Sequence, residues 1–169
     1  MTNKRLTILG IDPGFGRTGW GVCVSEGNKL QAKSYGCIET GKDEDFSYRL
    51  EQIYSDLNKI IEKYKPDVIG VEELFFSKNV TTAINVAHAR GIVLLSARLA
   101  NVPIMEFTPL QVKQAISGYG KADKKQVQQM VKTFLNLKEI PQPDDAADAL
   151  AVAVCASNSY KLNNIYDKK

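Results

Sequence analysis

The sequence predicts an α/β fold: one mixed five-stranded sheet, built from an antiparallel meander plus parallel strands, with helices on both faces. Three observations point there. Three strand-like runs open the chain with only short turns between them. Two further apolar runs are each reached through a long helical pattern, and everything after them reads as helix. Short connections make hairpins, whereas a helical crossover returns the chain to the sheet in the same direction.

Leu6 to Ile11 is short, apolar and rich in branched residues, and Asp12-Pro13-Gly14 stops it, which predicts a central strand entering a turn. Gly19 to Ser25 and Lys29 to Ile38 follow, joined by Glu26-Gly27-Asn28. Phe46, Leu50, Ile53, Leu57, Ile60, Ile61 and Tyr64 recur at helical spacing, and Pro66 ends that helix. Val68 to Glu72 reads as a buried strand. Asn79 to Leu99 is a long helix whose apolar positions, Val80, Ile84, Ala87, Ile92, Leu95 and Leu99 supplemented by Val86, Val93 and Leu94, exceed what one buried face requires. Val102 to Phe107 is the last strand, and Thr108-Pro109 is an N-cap and first-turn pair. Gly118-Tyr119-Gly120 separates that helix from another carrying Val127, Met130, Val131, Phe134 and Leu135. An alanine-rich helix from about Asp144 to Ala156 closes the fold, with a frayed polar tail expected after it.

At 169 residues, 44% hydrophobic and 24% charged, the chain suits one core rather than two, so residues 1–158 are expected to form a single domain and 159–169 a flexible tail. No apolar run is expected to approach the roughly 20 residues of a membrane span, and MTNKR leads directly into a strand without a secretory pattern, so a cytoplasmic address is expected. Cys23, Cys37 and Cys155 show no C-x-x-C spacing, which argues against a disulfide framework or zinc site. A net charge of +3 permits a polyanionic partner without demanding one. Its distribution says more: from Thr108 to Lys138 the charged residues are Lys113, Lys121, Lys124, Lys125, Lys132 and Lys138 against Asp123 alone.

Asp12 and Glu72 each follow an apolar strand directly, where an unpaired carboxylate is costly to desolvate. Asp145 and Asp148 are three apart in a helix and leave it on one face, with small alanines around them that allow close approach to a sheet. Gathered together, four like charges need neutralising, and hard oxygen donors without sulfur or imidazole alternatives favour Mg²⁺, with Mn²⁺ as a substitute. Two such ions can activate a water, hold a phosphate and neutralise a leaving oxygen, so no protein nucleophile is required. His88, the single histidine, lies in an apolar helix without triad partners. Each acid also has an ordinary explanation as a turn residue, a solvated strand end or a helix N-terminal acid, but four at once would be a coincidence.

LGIDPG at Leu9 to Gly14, VEELFFSKN at Val71 to Asn79, ARG at Ala89 to Gly91 and DAADALAVA at Asp145 to Ala153 stand in order and at family spacing. With these blocks the chain, from about Leu6 to Ala156, resembles the RuvC family of Holliday-junction resolvases, crossover junction endodeoxyribonucleases of the RNase H-like superfamily. The resemblance implies an RNase H-like nuclease domain and a homodimer that binds four-way DNA junctions. It implies paired, metal-dependent nicks in strands of like polarity, made during homologous recombination and repair beside a branch-migration motor. Its catalytic and metal-binding carboxylates fall on Asp12, Glu72, Asp145 and Asp148, with Asp144 and Glu73 as neighbouring alternatives. Its DNA-contacting lysines correspond to Lys113 and Lys124, with Lys121 and Lys125 adding charge, and Phe75 corresponds to an aromatic near the junction centre that stacks on an unpaired base. The over-apolar helix 79–99 fits the dimer interface, or equally a buried central helix. The role of Arg17 in the turn Gly14-Phe15-Gly16-Arg17 stays open. An actin-like ATPase would need a second Asp-x-Gly domain that this length does not hold. An RNA-processing nuclease of the same superfamily and a non-catalytic junction-binding module are the remaining alternatives.

Overall fold

The computed structural model describes residues 5–74, 80–118 and 120–166. Strands β1 (Leu6–Asp12), β2 (Arg17–Glu26) and β3 (Lys29–Glu39) precede helix α1 (Phe46–Tyr64). Strand β4 (Val68–Glu72), α2 (Val80–Leu99) and β5 (Ile104–Phe107) follow, and then α3 (Pro109–Ser117), α4 (Lys124–Phe134) and α5 (Asp144–Tyr166). The sheet has five strands in the order β3-β2-β1-β4-β5. The first three pair antiparallel, and β1, β4 and β5 pair parallel, as the connection lengths predict.

Side chains alternate across the sheet, and the two faces take different cores. Leu9, Ile11, Ile69 and Val71 face α1 and α2, against Ile53, Leu57, Ile61, Ala89, Val93 and Ala97. Leu6, Ile8 and Val68 face α3, α4 and α5, against Val112, Ile116, Val127, Val131 and Leu150. Continuing that alternation by two and four residues puts Gly10 and Asp12 of β1, and Gly70 and Glu72 of β4, on the α5 side.

Helix α5 lies on a row of glycines. Gly21, Gly10 and Gly70 are neighbours in register across β2, β1 and β4. A Cβ on Gly10 would fall 2.1 Å from the Ala149 carbonyl oxygen, one on Gly21 2.7 Å from the Leu150 side chain, and one on Gly70 2.9 Å from the Ala156 methyl. Only hydrogen fits there. Ala146, Ala149 and Ala153 are fully buried along the helix, so small residues on both sides bring backbone against backbone.

Two expectations need correction. The last helix does not end near Ala156 but runs to Tyr166, and past Ala156 its inner face still packs on the α5-side core, with Ser157 fully buried and Tyr160 against it. Most of the span expected as a flexible tail at 159–169 is therefore helical. And α2, with 20 residues and a hydropathy of 1.3, does reach the length and composition of a membrane span. It carries Arg90 and Arg98 and packs Ala83, Ala89, Val93 and Ala97 inward, while Val80, Ile84, Leu95 and Leu99 stand exposed. Its excess of apolar residues thus forms an outer stripe as well as an inner one. Arg90 pairs with Glu106 of β5 and ties the helix to the sheet edge.

The glycine row predicts the response to a single methyl. Gly10→Ala has to push α5 away from the sheet, which should cost about 1–3 kcal/mol in urea denaturation. An unchanged midpoint would show that α5 does not sit on β1 at this distance.

Candidate active site

The site forms where β1 and β4 end on the α5 face. Ile11 and Val71 are register partners, so Asp12 and Glu72, the next residues, leave the sheet side by side. Asp12 pairs with Gly19 of β2, and a Cβ on Gly19 would fall 2.0 Å from the Asp145 carbonyl oxygen. The first turn of α5 therefore rests on the sheet directly beside Asp12. Asp148, one turn further, reaches toward Glu72, and a cavity of about 230 Å³ opens between them, lined by Glu72, Asp148, Lys113 and Lys124 with Pro109, Val112, Val127 and Ala151.

The turn after Asp12 is tightly held. The buried Thr18 hydroxyl donates to the Gly14 carbonyl at 2.7 Å, and a Cβ on Gly14 would meet the Arg17 carbonyl at 2.0 Å. Thr40 donates to the Phe15 carbonyl at 2.7 Å, and the Arg49 guanidinium lies 3.9 Å over the Phe15 ring.

Burial and like charge act together on the acids. Burial holds the Asp12 carboxyl well above the ordinary carboxylate range, and the charges of Glu72, Asp148 and Asp145 push it the same way. A side-chain hydrogen bond between Asp12 and Glu72 works in opposite directions on the two, raising Asp12 and lowering Glu72. Glu72 is itself raised by burial, an effect that its hydrogen bond with Asp12 and the charge of Lys113 oppose and that of Asp148 adds to. Asp148 is raised by burial against the pull of Lys124.

Cations border the acids. Lys124 Nζ lies 3.2 Å from Asp144 Oδ2 and 3.4 Å from Asp148 Oδ2. Arg17 lies 3.9 Å from Asp145 Oδ2 and 3.3 Å from Glu39 Oε1. Both lysines of the cavity are set by helix caps: Thr108 and Gln111 form a capping box before Lys113, and Asp123 and Gln126 form one at Lys124. Asp123, the lone acid of the basic stretch, is thereby a cap.

The sequence-derived candidates divide accordingly. Asp12, Glu72, Asp145, Asp148, Lys113 and Lys124 come together. Lys121 and Lys125 are exposed on the approach to α4 and its first turn. Phe75 lies outside the described residues. Asp144 faces Lys124, and Glu73 is exposed, donating its backbone N–H to the Phe107 carbonyl. The contacts of Arg17 and Asp144 were not legible beforehand, since each is a tertiary contact between distant segments. Among the described residues no three His, Cys, Asp or Glu side chains stand as a closed cage for one ion. The donor set nevertheless fits a hard cation: Asp12, Glu72 and Asp148 are all oxygen donors that burial holds above their ordinary range, and a cation would favour their ionised forms.

A family model described as "Crossover junction endodeoxyribonuclease RuvC" matches residues 8–156. This chain is a member of that RuvC family. The RuvC of Ruminiclostridium cellulolyticum is 54% identical over 157 residues, covering 93% of this chain and 95% of the relative. The RuvC of Halothermothrix orenii is 51% identical over 164 residues, covering 97% and 99%. Among solved structures, Thermus thermophilus RuvC superposes with a TM-score of 0.87 at 35% identity, covering 94% of this chain and 97% of that one. The same protein in complex with a Holliday junction substrate gives 0.89 at 34%, covering 94% and 96%. Both bear out the fold class read from the sequence.

The charge repulsion at the RuvC-family site has a sign that can be measured. A buried acid with a raised folded-state pKa binds its proton more tightly in the folded than in the unfolded chain, so stability falls as pH rises through that raised pKa. Without divalent ions, Asp12→Asn should therefore raise the melting temperature at neutral pH by about 2–4 °C, the shift that about 1 kcal/mol gives a domain of this size. It should also flatten the loss of stability between the ordinary carboxylate range and neutrality. A lower melting temperature at neutral pH would contradict the buried-charge account.

Proposed function

We propose that this chain is a structure-selective endonuclease that resolves four-way DNA junctions by paired, metal-dependent hydrolysis in strands of like polarity. The observation that carries the reading is the shared cavity: buried carboxylates and two helix-capped lysines face the same small space in a RuvC-family chain. Acids alone would suit many folds. Acids beside lysines suit a phosphodiester, whose charge needs cations on both sides.

Asp12, Glu72, Asp145 and Asp148 would hold the metal, Mg²⁺ by preference with Mn²⁺ in its place, as two ions. Bound there, the ions would supply the charge that activates water and stabilises the leaving oxygen. The chain's own residues do the rest. Lys113 and Lys124 bind the scissile phosphate from α3 and α4, and Lys121 and Lys125 extend the basic surface along the DNA backbone. Burial holds Asp12 toward its neutral form, and a bound cation would favour its carboxylate. Phe75 follows β4 in sequence and is the candidate for stacking on an unpaired base.

Paired nicks require two sites, and the outer stripe of α2 supports a second copy as its partner. Val80, Ile84, Ala87, His88, Gly91, Leu95 and Leu99 lie along one exposed face at helical spacing, and a side chain added at Gly91 would meet nothing within 4 Å. A face this apolar, continuous and small at its centre matches a twofold helix contact.

One pair of measurements tests site and dimer together. Asp148→Asn should bind a four-way junction with near-normal affinity yet nick it at least a hundredfold more slowly, because binding rests on the lysines and cleavage on the acids. Mixed with unmodified chain, it should give unpaired nicks, since a mixed dimer carries one competent site. Unimpaired cleavage by the variant would remove Asp148 from the site, and strictly paired nicks from the mixture would remove the two-copy scheme.

A further inference from the structure

Lys124 stands between two carboxylates that differ in kind. Asp144 and Asp148 are one turn apart on α5, so their side chains lie side by side on one face. Lys124, the first residue of α4, reaches both, at 3.2 and 3.4 Å. Asp148 is the inner one, its side chain 30% exposed and lining the cavity with Glu72. Asp144 is the outer one, 49% exposed and absent from the cavity wall.

An ammonium at a carboxylate competes with any other cation that the carboxylate could take. Whatever part of the Lys124 charge rests on Asp148 is subtracted from the attraction Asp148 offers a divalent ion. Asp144 offers the same ammonium a second anion further out, at a slightly shorter distance. The Lys124 ammonium holds the Asp144 carboxyl below its ordinary range, with Gln128, one turn beyond Lys124 on α4, acting in the same direction. An acid in the first turn of a helix is favoured by the dipole in any case. That role would alter stability alone and would leave cation binding unchanged.

We propose that Asp144 is a positioning residue that acts through Lys124, sharing its ammonium so that Lys124 stays at the cavity rim and Asp148 stays available to a divalent ion. The proposal deepens the functional reading above, since it takes Asp148 as a metal ligand. It also gives the two adjacent aspartates separate duties: Asp145 belongs to the acidic site beside Gly19, and Asp144 belongs to the lysine.

The test is a calorimetric Mn²⁺ titration of the full chain without DNA, run on the unmodified protein, Asp144→Asn, Lys124→Met and the double variant. Asp144→Asn should weaken Mn²⁺ binding about two- to fivefold, the scale of one partly exposed ion pair, and Asp144→Glu should restore it. Lys124→Met should tighten binding, and in that background Asp144→Asn should change nothing. Equal weakening in both backgrounds would overturn the proposal by showing that Asp144 acts through its own charge. No weakening in either would overturn it by reducing Asp144 to a helix-end acid. If the unmodified chain bound no Mn²⁺, the metal reading itself would fall, whereas normal binding with an uncoupled cycle would remove only the role of Asp144.

Discussion

Everything at the site depends on how closely α5 approaches the sheet. Layers that pack on a sheet through ordinary side chains stand well away from its backbone, about 10 Å for two stacked sheets. Here Gly21, Gly10 and Gly70 form a bare strip across three strands, and α5 meets it with Leu150 at Gly21, Ala149 and Ala153 at Gly10, and Ala156 at Gly70. The consequence is chemical. Asp145 and Asp148 are short side chains on α5, and Asp12 and Glu72 are short extensions of β1 and β4. With a normal spacer layer the two pairs would not influence one another, whereas here the charges of Asp145 and Asp148 bear directly on Asp12.

That closeness creates the electrostatic problem the site is built on. Burial and mutual repulsion push Asp12, Glu72 and Asp148 above their ordinary range, and the chain relieves this only in part. Lys124 is pulled two ways: partial burial acts against its charge, yet Asp148 and Asp144 outweigh that and hold the ammonium above its usual value. Lys113 moderates Glu72, and Arg17 sits at the edge of Asp145. The same cations that border the acids are those best placed to meet a phosphate. In this structure the cavity is closed on itself by its own lysines, with Lys124 at Asp144 and Asp148.

The sequence made the strands and their directions legible because each signal was local. Apolar runs stopped by Asp12-Pro13-Gly14 or Pro66, short hairpin links and long helical crossovers determine pairing almost unaided. Asp12 and Glu72 were legible for the same reason, as acids at the ends of buried strands. The glycine row was not, since Gly10, Gly21 and Gly70 become neighbours only once register is known. Nor was the extent of α5: a polar sequence from Ser157 onward reads as tail, yet Ser157 is buried and Tyr160 packs against the core. The apolar surplus of α2 was visible, but whether it lay inside or outside depended on which face the sheet took. That Asp144 faces Lys124 was not legible either, since the contact joins segments distant in sequence and no local pattern encodes it.

The most direct measurement of the account uses a synthetic four-way junction with a mobile core, its four strands labelled one at a time and incubated with the protein and Mg²⁺. Nicks are expected at matching positions in two opposed strands of like polarity, none when the divalent ion is chelated, and ligatable ends. Cleavage that persists in chelator, or that falls equally on linear duplex and on all four strands, would contradict it.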